Sequence, residues 1–170
     1  MAIIIGLGGE HDPNALKLYT RRHNYVINEM PSELPPDQLQ ALQRDTAVGR
    51  LIVLIRSLTA TYNCMGMVFA SRRTSIRPSE LELFRLDDGL KDLPGGPSEA
   101  EIGDIIVYRK GGVPKHVGVV LQLGKNRQAF ETEMLVLSKW GEAGECVHLL
   151  GDVPSAYGTE YQILTDRRGL

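Results

Sequence analysis

The spacing of apolar residues changes along the chain, from mainly helical before Gly103 to strand-like after it. Asp12-Pro13-Asn14 marks a helix start, because Pro13 falls in a first turn whose N–H would lack a partner anyway. That helix is expected to reach about Asn28, with Leu16, Leu18, Tyr19, Tyr25, Val26 and Ile27 as an imperfect amphipathic face. Pro31, Pro35 and Pro36 interrupt it. From Asp37 onward, Leu39, Leu42, Val48, Leu51, Ile52, Leu54 and Ile55 recur near the 3.6-residue period and predict a second helix to about Leu58. Gly49 weakens its middle.

Asn63 is a favoured N-cap, since its side-chain oxygen can accept from a first-turn N–H. It predicts a helix from Cys64 to about Arg73, with Met67, Val68 and Phe69 as apolar surface and Gly66 allowing a close neighbour. Arg77-Pro78-Ser79-Glu80 leads into a short helix over Leu81 to Leu86. Asp87-Asp88-Gly89 and Leu93-Pro94-Gly95-Gly96-Pro97 are turn signals. β-Branched and aromatic runs then predict strands over Ile105 to Tyr108, Val117 to Leu123, Met134 to Lys139, Cys146 to Leu150 and Tyr161 to Leu164. Gly111-Gly112 joins the first two as a hairpin. Helices followed by an antiparallel sheet define the α+β class.

Composition narrows the picture without deciding it. The 170 residues, 42% hydrophobic, suffice for one domain spanning 1–170, with a helical N-terminal part over 1–58. A formal charge of −2 argues against nucleic acid or an anionic membrane as the main partner. No apolar run reaches the roughly 18 residues of a membrane-spanning helix. Met1 through Gly9 lacks the basic leader and long apolar stretch of a signal peptide. A cytoplasmic location is expected, or export without a cleaved leader. Ile3-Ile4-Ile5 suggests a first strand or a mobile start, and Gly6-Leu7-Gly8-Gly9 makes a poor phosphate loop without a βαβ unit.

Two cysteines, Cys64 and Cys146, make no disulfide framework, and free thiols are expected. His11, His23, His116 and His148 show no zinc-ligand spacing, so no metal is expected.

Candidate chemistry rests on Cys64 and His116. A thiol at a helix N-terminus meets unpaired N–H groups and a partial positive charge, which favour the thiolate. The N–H groups of Cys64 and Met65 could also hold an oxyanion. His116 begins an apolar strand, as a base beside such a nucleophile would. Taken singly, each has a plainer role, Cys64 as a small buried hydrophobe and His116 as a satisfied core residue.

Together with their surroundings they carry a resemblance. Asn63-Cys64-Met65-Gly66, then Gly103-Asp104-Ile105-Ile106-Val107-Tyr108, then His116-Val117-Gly118-Val119-Val120 resemble, in that order, the motifs of NlpC-type and CHAP-type cysteine peptidases and amidases. These belong to the papain-like superfamily. The resemblance covers roughly residues 60 to 165 and implies a papain-like catalytic core over 59–170. It implies Cys64 as nucleophile and His116 as base, acting on a peptide or amide substrate through a thioester, with no cofactor. Peptidoglycan-type peptides are the first substrate class it suggests. Thioester acyl transfer, deamidation and a non-catalytic binding module on the same fold are the alternatives.

A third residue usually orients the histidine from the following strand, here Leu135-Val136-Leu137-Ser138-Lys139-Trp140-Gly141. Ser138 is the first candidate and His148, one strand later, its competitor; a backbone carbonyl or water could replace both. Lys139, when protonated, cannot accept the imidazole bond. Trp140 and Gly141 are candidates to line a groove, with a packed core aromatic as the alternative for Trp140. Tyr62 is a candidate oxyanion donor. Arg72 and Arg73 read as a solvated helix end able to bind a substrate carboxylate, and Asp104 as a turn residue.

Overall fold

The computed structural model describes residues 14–47, 53–54, 58–126 and 131–167. Its centre is an antiparallel sheet of seven strands: β2 (Val53–Leu54), β4 (Lys91–Asp92), β5 (Ile105–Lys110), β6 (Val113–Asn126), β7 (Glu131–Lys139), β8 (Glu145–Leu149) and β9 (Glu160–Thr165). Their spatial order is β2-β8-β7-β6-β5-β9-β4. A smaller pair joins β1 (Asn28–Glu29) to β3 (Ser75–Ile76). Three α-helices accompany them: α1 (Pro36–Ala47), α2 (Cys64–Phe69) and α3 (Leu81–Asp88). The fold is therefore mixed helix and sheet. Among the described residues no helix is long and apolar enough to cross a membrane.

The strand-rich half follows its sequence closely. Lys110 pairs with Val113 across Gly111 and Gly112, whose φ angles of 59° and 75° suit a tight hairpin that L-residues resist. Side chains alternate across the sheet, so odd and even positions build two cores. Val107, Val117 and Leu164 meet Cys64, Met65 and Phe69 of α2 and Phe84 of α3 on one face. Ile106, Tyr108, Val136 and Ile163 gather with Leu93 and Ala100 on the other.

The N-terminal half departs from expectation. The first predicted helix is absent over its described part, and Tyr19 bridges Tyr25 in a small hairpin instead. Val26 N–H donates to the Leu18 carbonyl, and Thr20 N–H to that of Asn24. Leu18, Thr20, Val26 and Asn28 are buried, a two-residue alternation hidden within the looser helical pattern. The second predicted helix ends at Ala47 instead of about Leu58. Val53 and Leu54 instead pair with Val147 and Cys146, as β-branched residues beside a sheet edge favour. The remaining predicted positions, 48–52 and 55–57, lie outside the described residues, as does the predicted first strand at Ile3-Ile4-Ile5 with Gly6-Leu7-Gly8-Gly9. The predicted predominantly helical 1–58 is thus corrected to one described helix with strand and turn.

Helix α2 begins at Cys64 as its cap predicts. Asn63 Oδ1 accepts from Gly66 N–H at 2.9 Å, while its amide donates to the Ile76 carbonyl at 2.7 Å. The helix stops four residues before the expected Arg73, because Ser71 and Arg72 adopt left-handed φ values of 51° and 66°. Gly66 is required by contact, since a Cβ there would lie 1.7 Å from the Thr74 carbonyl oxygen. Helix α3 runs two residues past the expected Leu86 and ends at Gly89, in left-handed conformation.

Candidate active site

The first turn of α2 delivers Cys64 to β6 at a particular point. The described pairing of β6 with β7 begins at Gly118 opposite Ser138. The Cys64 sulfur lies one residue beyond that end, where the Val117 N–H favours its thiolate, as do the N–H groups of Met65 and Cys64 itself. Val117 directly follows His116. Burial nevertheless dominates and pushes the Cys64 thiol up, opposite to the lowering expected of a helix N-terminus. A helix of six residues has little dipole to set against that desolvation.

His116 is 2% exposed, and its ring turns to the face of Tyr108 while Cys64 packs on that of Val117. The ring of Tyr157 lies flat on it, with centroids 4.0 Å apart and planes 8° from parallel. Neither ring nitrogen has a hydrogen-bond partner among the described residues. Thiol and imidazole are therefore brought to one strand end without bonding each other. Burial, aided by the nearby His148 charge, lowers His116 to about 3. The resting pair is a neutral thiol and a neutral imidazole.

Ser138 and His148 hydrogen-bond each other, at 2.8 Å between Oγ and Nε2. His148 Nδ1 lies 2.8 Å from the Leu149 carbonyl, which can only accept. Nδ1 therefore carries the proton, Nε2 accepts, and the Ser138 hydroxyl donates to it. Trp140 Nε1 in turn donates to Ser138 Oγ at 2.9 Å. This corrects the expectation for both candidate third residues: each is satisfied elsewhere, and neither orients His116. Trp140, 2% exposed, is a packed core aromatic and lines no groove.

Two further expectations change. The Tyr62 hydroxyl donates to Glu145 Oε1 at 2.8 Å, which removes it as an oxyanion donor in this arrangement. Arg72 donates from Nε to the same carboxylate, which is fully buried, and so is not a merely solvated helix end. Asp104 acts as the turn residue expected, accepting from Glu101 N–H at 2.8 Å, and also pairs with Arg167. Cys64 and Cys146 are both free and buried. Burial pushes Cys146 up to about 11.

Lys139 and Tyr157 are the residues that sequence reasoning passed over. Lys139 is buried at the end of β7, where its ammonium donates to the Thr59 and Gly141 carbonyls and lies 4.9 Å above the Tyr62 ring. Its charge favours a Cys64 thiolate, although burial lowers its own pKa. Its only sequence signal was a charge closing an apolar strand. Tyr157 stands in a Pro154–Gly158 loop without periodicity. Burial raises its phenol, and so would a charged Cys64, which places the two within electrostatic reach.

Cavities of about 710 and 280 Å³ elsewhere are lined by neither Cys64 nor His116. Among the described residues no three of His, Cys, Asp and Glu cluster as a metal site would require. The chain matches no protein-family model, no curated protein and no solved structure.

Proposed function

We propose that this chain is a papain-like cysteine hydrolase that cleaves an amide or peptide bond, with Cys64 as nucleophile and His116 as base. The observation that carries the reading is His116 itself. A buried imidazole with both nitrogens unpartnered costs about 1–3 kcal/mol, and it sits one residue from the N–H beside the Cys64 sulfur. A ring kept for catalysis explains that cost, because its partners are the thiol proton and then the leaving amine.

In this reading the neutral imidazole takes the thiol proton as sulfur bonds to the substrate carbonyl carbon. The carbonyl electron pair moves onto oxygen, within reach of the Cys64 and Met65 N–H groups. Collapse breaks the C–N bond, and the imidazolium protonates the departing amine. Water then hydrolyses the thioester. Because thiol and ring pack toward opposite faces, a side-chain rotation at the strand end precedes proton transfer. Peptidoglycan-type peptides are the substrate class favoured by the motif resemblance; acyl transfer or deamidation would share the same thioester.

A non-catalytic binding module is the second reading. Burial disfavours charge on both Cys64 and His116, and the two form no hydrogen bond. The rate of Cys64 alkylation by iodoacetamide, followed against pH, separates the two readings. A hydrolase gives a rate that falls about a hundredfold in His116→Ala, and a thioester on Cys64 detectable by mass spectrometry after incubation with peptide amides. Equal rates in both proteins, with no adduct from any peptide, overturn the hydrolase.

A further inference from the structure

The papain-like reading leaves His116 without the hydrogen-bonding neighbour that would fix its ring, since Ser138 and His148 serve each other. Something else holds the imidazole. We propose that Tyr157 is the positioning residue for His116, fixing the ring plane by face-to-face stacking in place of a polar third residue. This rests on the cysteine–histidine reading above and specifies how that pair is held.

The stack is close and nearly parallel, at 4.0 Å and 8°. Tyr108 closes in on the same imidazole at a tilt, with centroids 5.7 Å apart. Flat contact restricts ring flipping out of the plane but leaves both nitrogens open at the edge. Rotation within that plane remains available, which is the motion a base needs when it takes a proton at one position and delivers it at another. The aromatic face also attracts a cation. It therefore stabilises the imidazolium formed when the thiol proton arrives, without competing for either N–H.

Tyr157 is itself held firmly for such a role. The Pro154 carbonyl accepts from Tyr157 N–H at 2.9 Å, and that of Ser155 accepts from Gly158 N–H at 3.2 Å. Gly158 has a φ of 92°, and a Cβ there would fall 1.9 Å from the Arg109 carbonyl oxygen. The turn is thus seated directly on β5, and a larger residue at 158 would displace the tyrosine from its stack. The titratable groups around the imidazole are Tyr108 on β5, His148 on β8, Cys64 on α2 and Tyr157 itself.

The test compares the full chain with Tyr157→Phe, Tyr157→Leu and His116→Ala. Two quantities are read: the His116 ring-proton shifts by NMR, and the pH profile of Cys64 alkylation by iodoacetamide. Stacking predicts upfield-shifted His116 ring protons in the wild type and in Tyr157→Phe. Tyr157→Leu loses that shift and slows the His116-dependent alkylation about tenfold, whereas Tyr157→Phe stays within about twofold. Absence of the upfield shift in the wild type overturns the proposal, and this reading needs no variant to fold. It is equally overturned if Tyr157→Leu keeps the full His116-dependent rate. If His116→Ala alkylates as fast as the wild type, the cysteine–histidine reading fails instead, while the ring shifts still report the stack.

Discussion

Ser138 gives one hydrogen bond and receives another, and neither involves His116. Its hydroxyl satisfies the buried Nε2 of His148 and the indole N–H of Trp140. Ser138→Ala strands both groups in a dry interior, so its expected cost is about 2–4 kcal/mol, read as a lowered urea midpoint. An unchanged midpoint would mean that the two groups find other partners. Lys139 shows the same logic with a charge: two carbonyls and an aromatic face make its burial tolerable. Cys64 and His116 were legible from short motifs because each sits where a backbone feature is required, a helix cap and a strand start. Their environment was not legible. Burial depends on Tyr157 and Trp140, which arrive from segments with no periodicity linking them to the motif.

Helix α2 depends on its neighbours more than on its length. Six residues make a marginal helix, stabilised by the Asn63 cap and by packing of Met65 and Phe69 on the sheet. Phe69 stacks on Phe84 of α3 at 4.2 Å. Because the Thr74 carbonyl occupies the space beside Gly66, Gly66→Ala forces backbone to move and not merely a side chain. The expected loss is about 3 kcal/mol, visible as a fall in Tm, together with displacement of Cys64 from the Val117 N–H. A variant as stable as the wild type would show that the turn after α2 is freely adjustable. The Cys64 start was readable from Asn63, but the stop was not. Ser71 and Arg72 carry no glycine to announce left-handed backbone, and the Arg72 conformation is held by a carboxylate 73 positions away. The hairpin near Tyr19 was missed for a different reason: Leu16, Leu18, Tyr25 and Val26 fit both a loose helical stripe and a two-residue alternation.

Across the whole molecule, neutral histidines buried in the sheet make stability depend on pH. His116 is near 6.5 when unfolded and about 3 when folded, so the unfolded chain binds more protons between those values. Stability is fully present above about 6.5 and declines by about 1.4 kcal/mol per pH unit as pH falls toward 3. His148, also lowered by burial, acts in the same direction. Urea unfolding at pH 7 and pH 5 should therefore differ by about 2 kcal/mol from His116 alone, a difference that His116→Phe removes. Identical pH dependence in the two proteins would place the His116 ring in contact with water. The antiparallel sheet behind this was the most readable part of the chain, because β-branched runs and the Gly111-Gly112 turn act locally. Its register was not, and register decides which side chains share a pocket.

The run from Trp140 through Ser138 and His148 to the Leu149 carbonyl has a direction: every hydrogen points the same way along it. Adding a proton at the far imidazole would oblige the serine between them to accept from both sides and to aim its own hydrogen at a new acceptor. Such wiring locks a single tautomer into the sheet, and it makes that corner of the protein an insulator against acid and not a relay for protons.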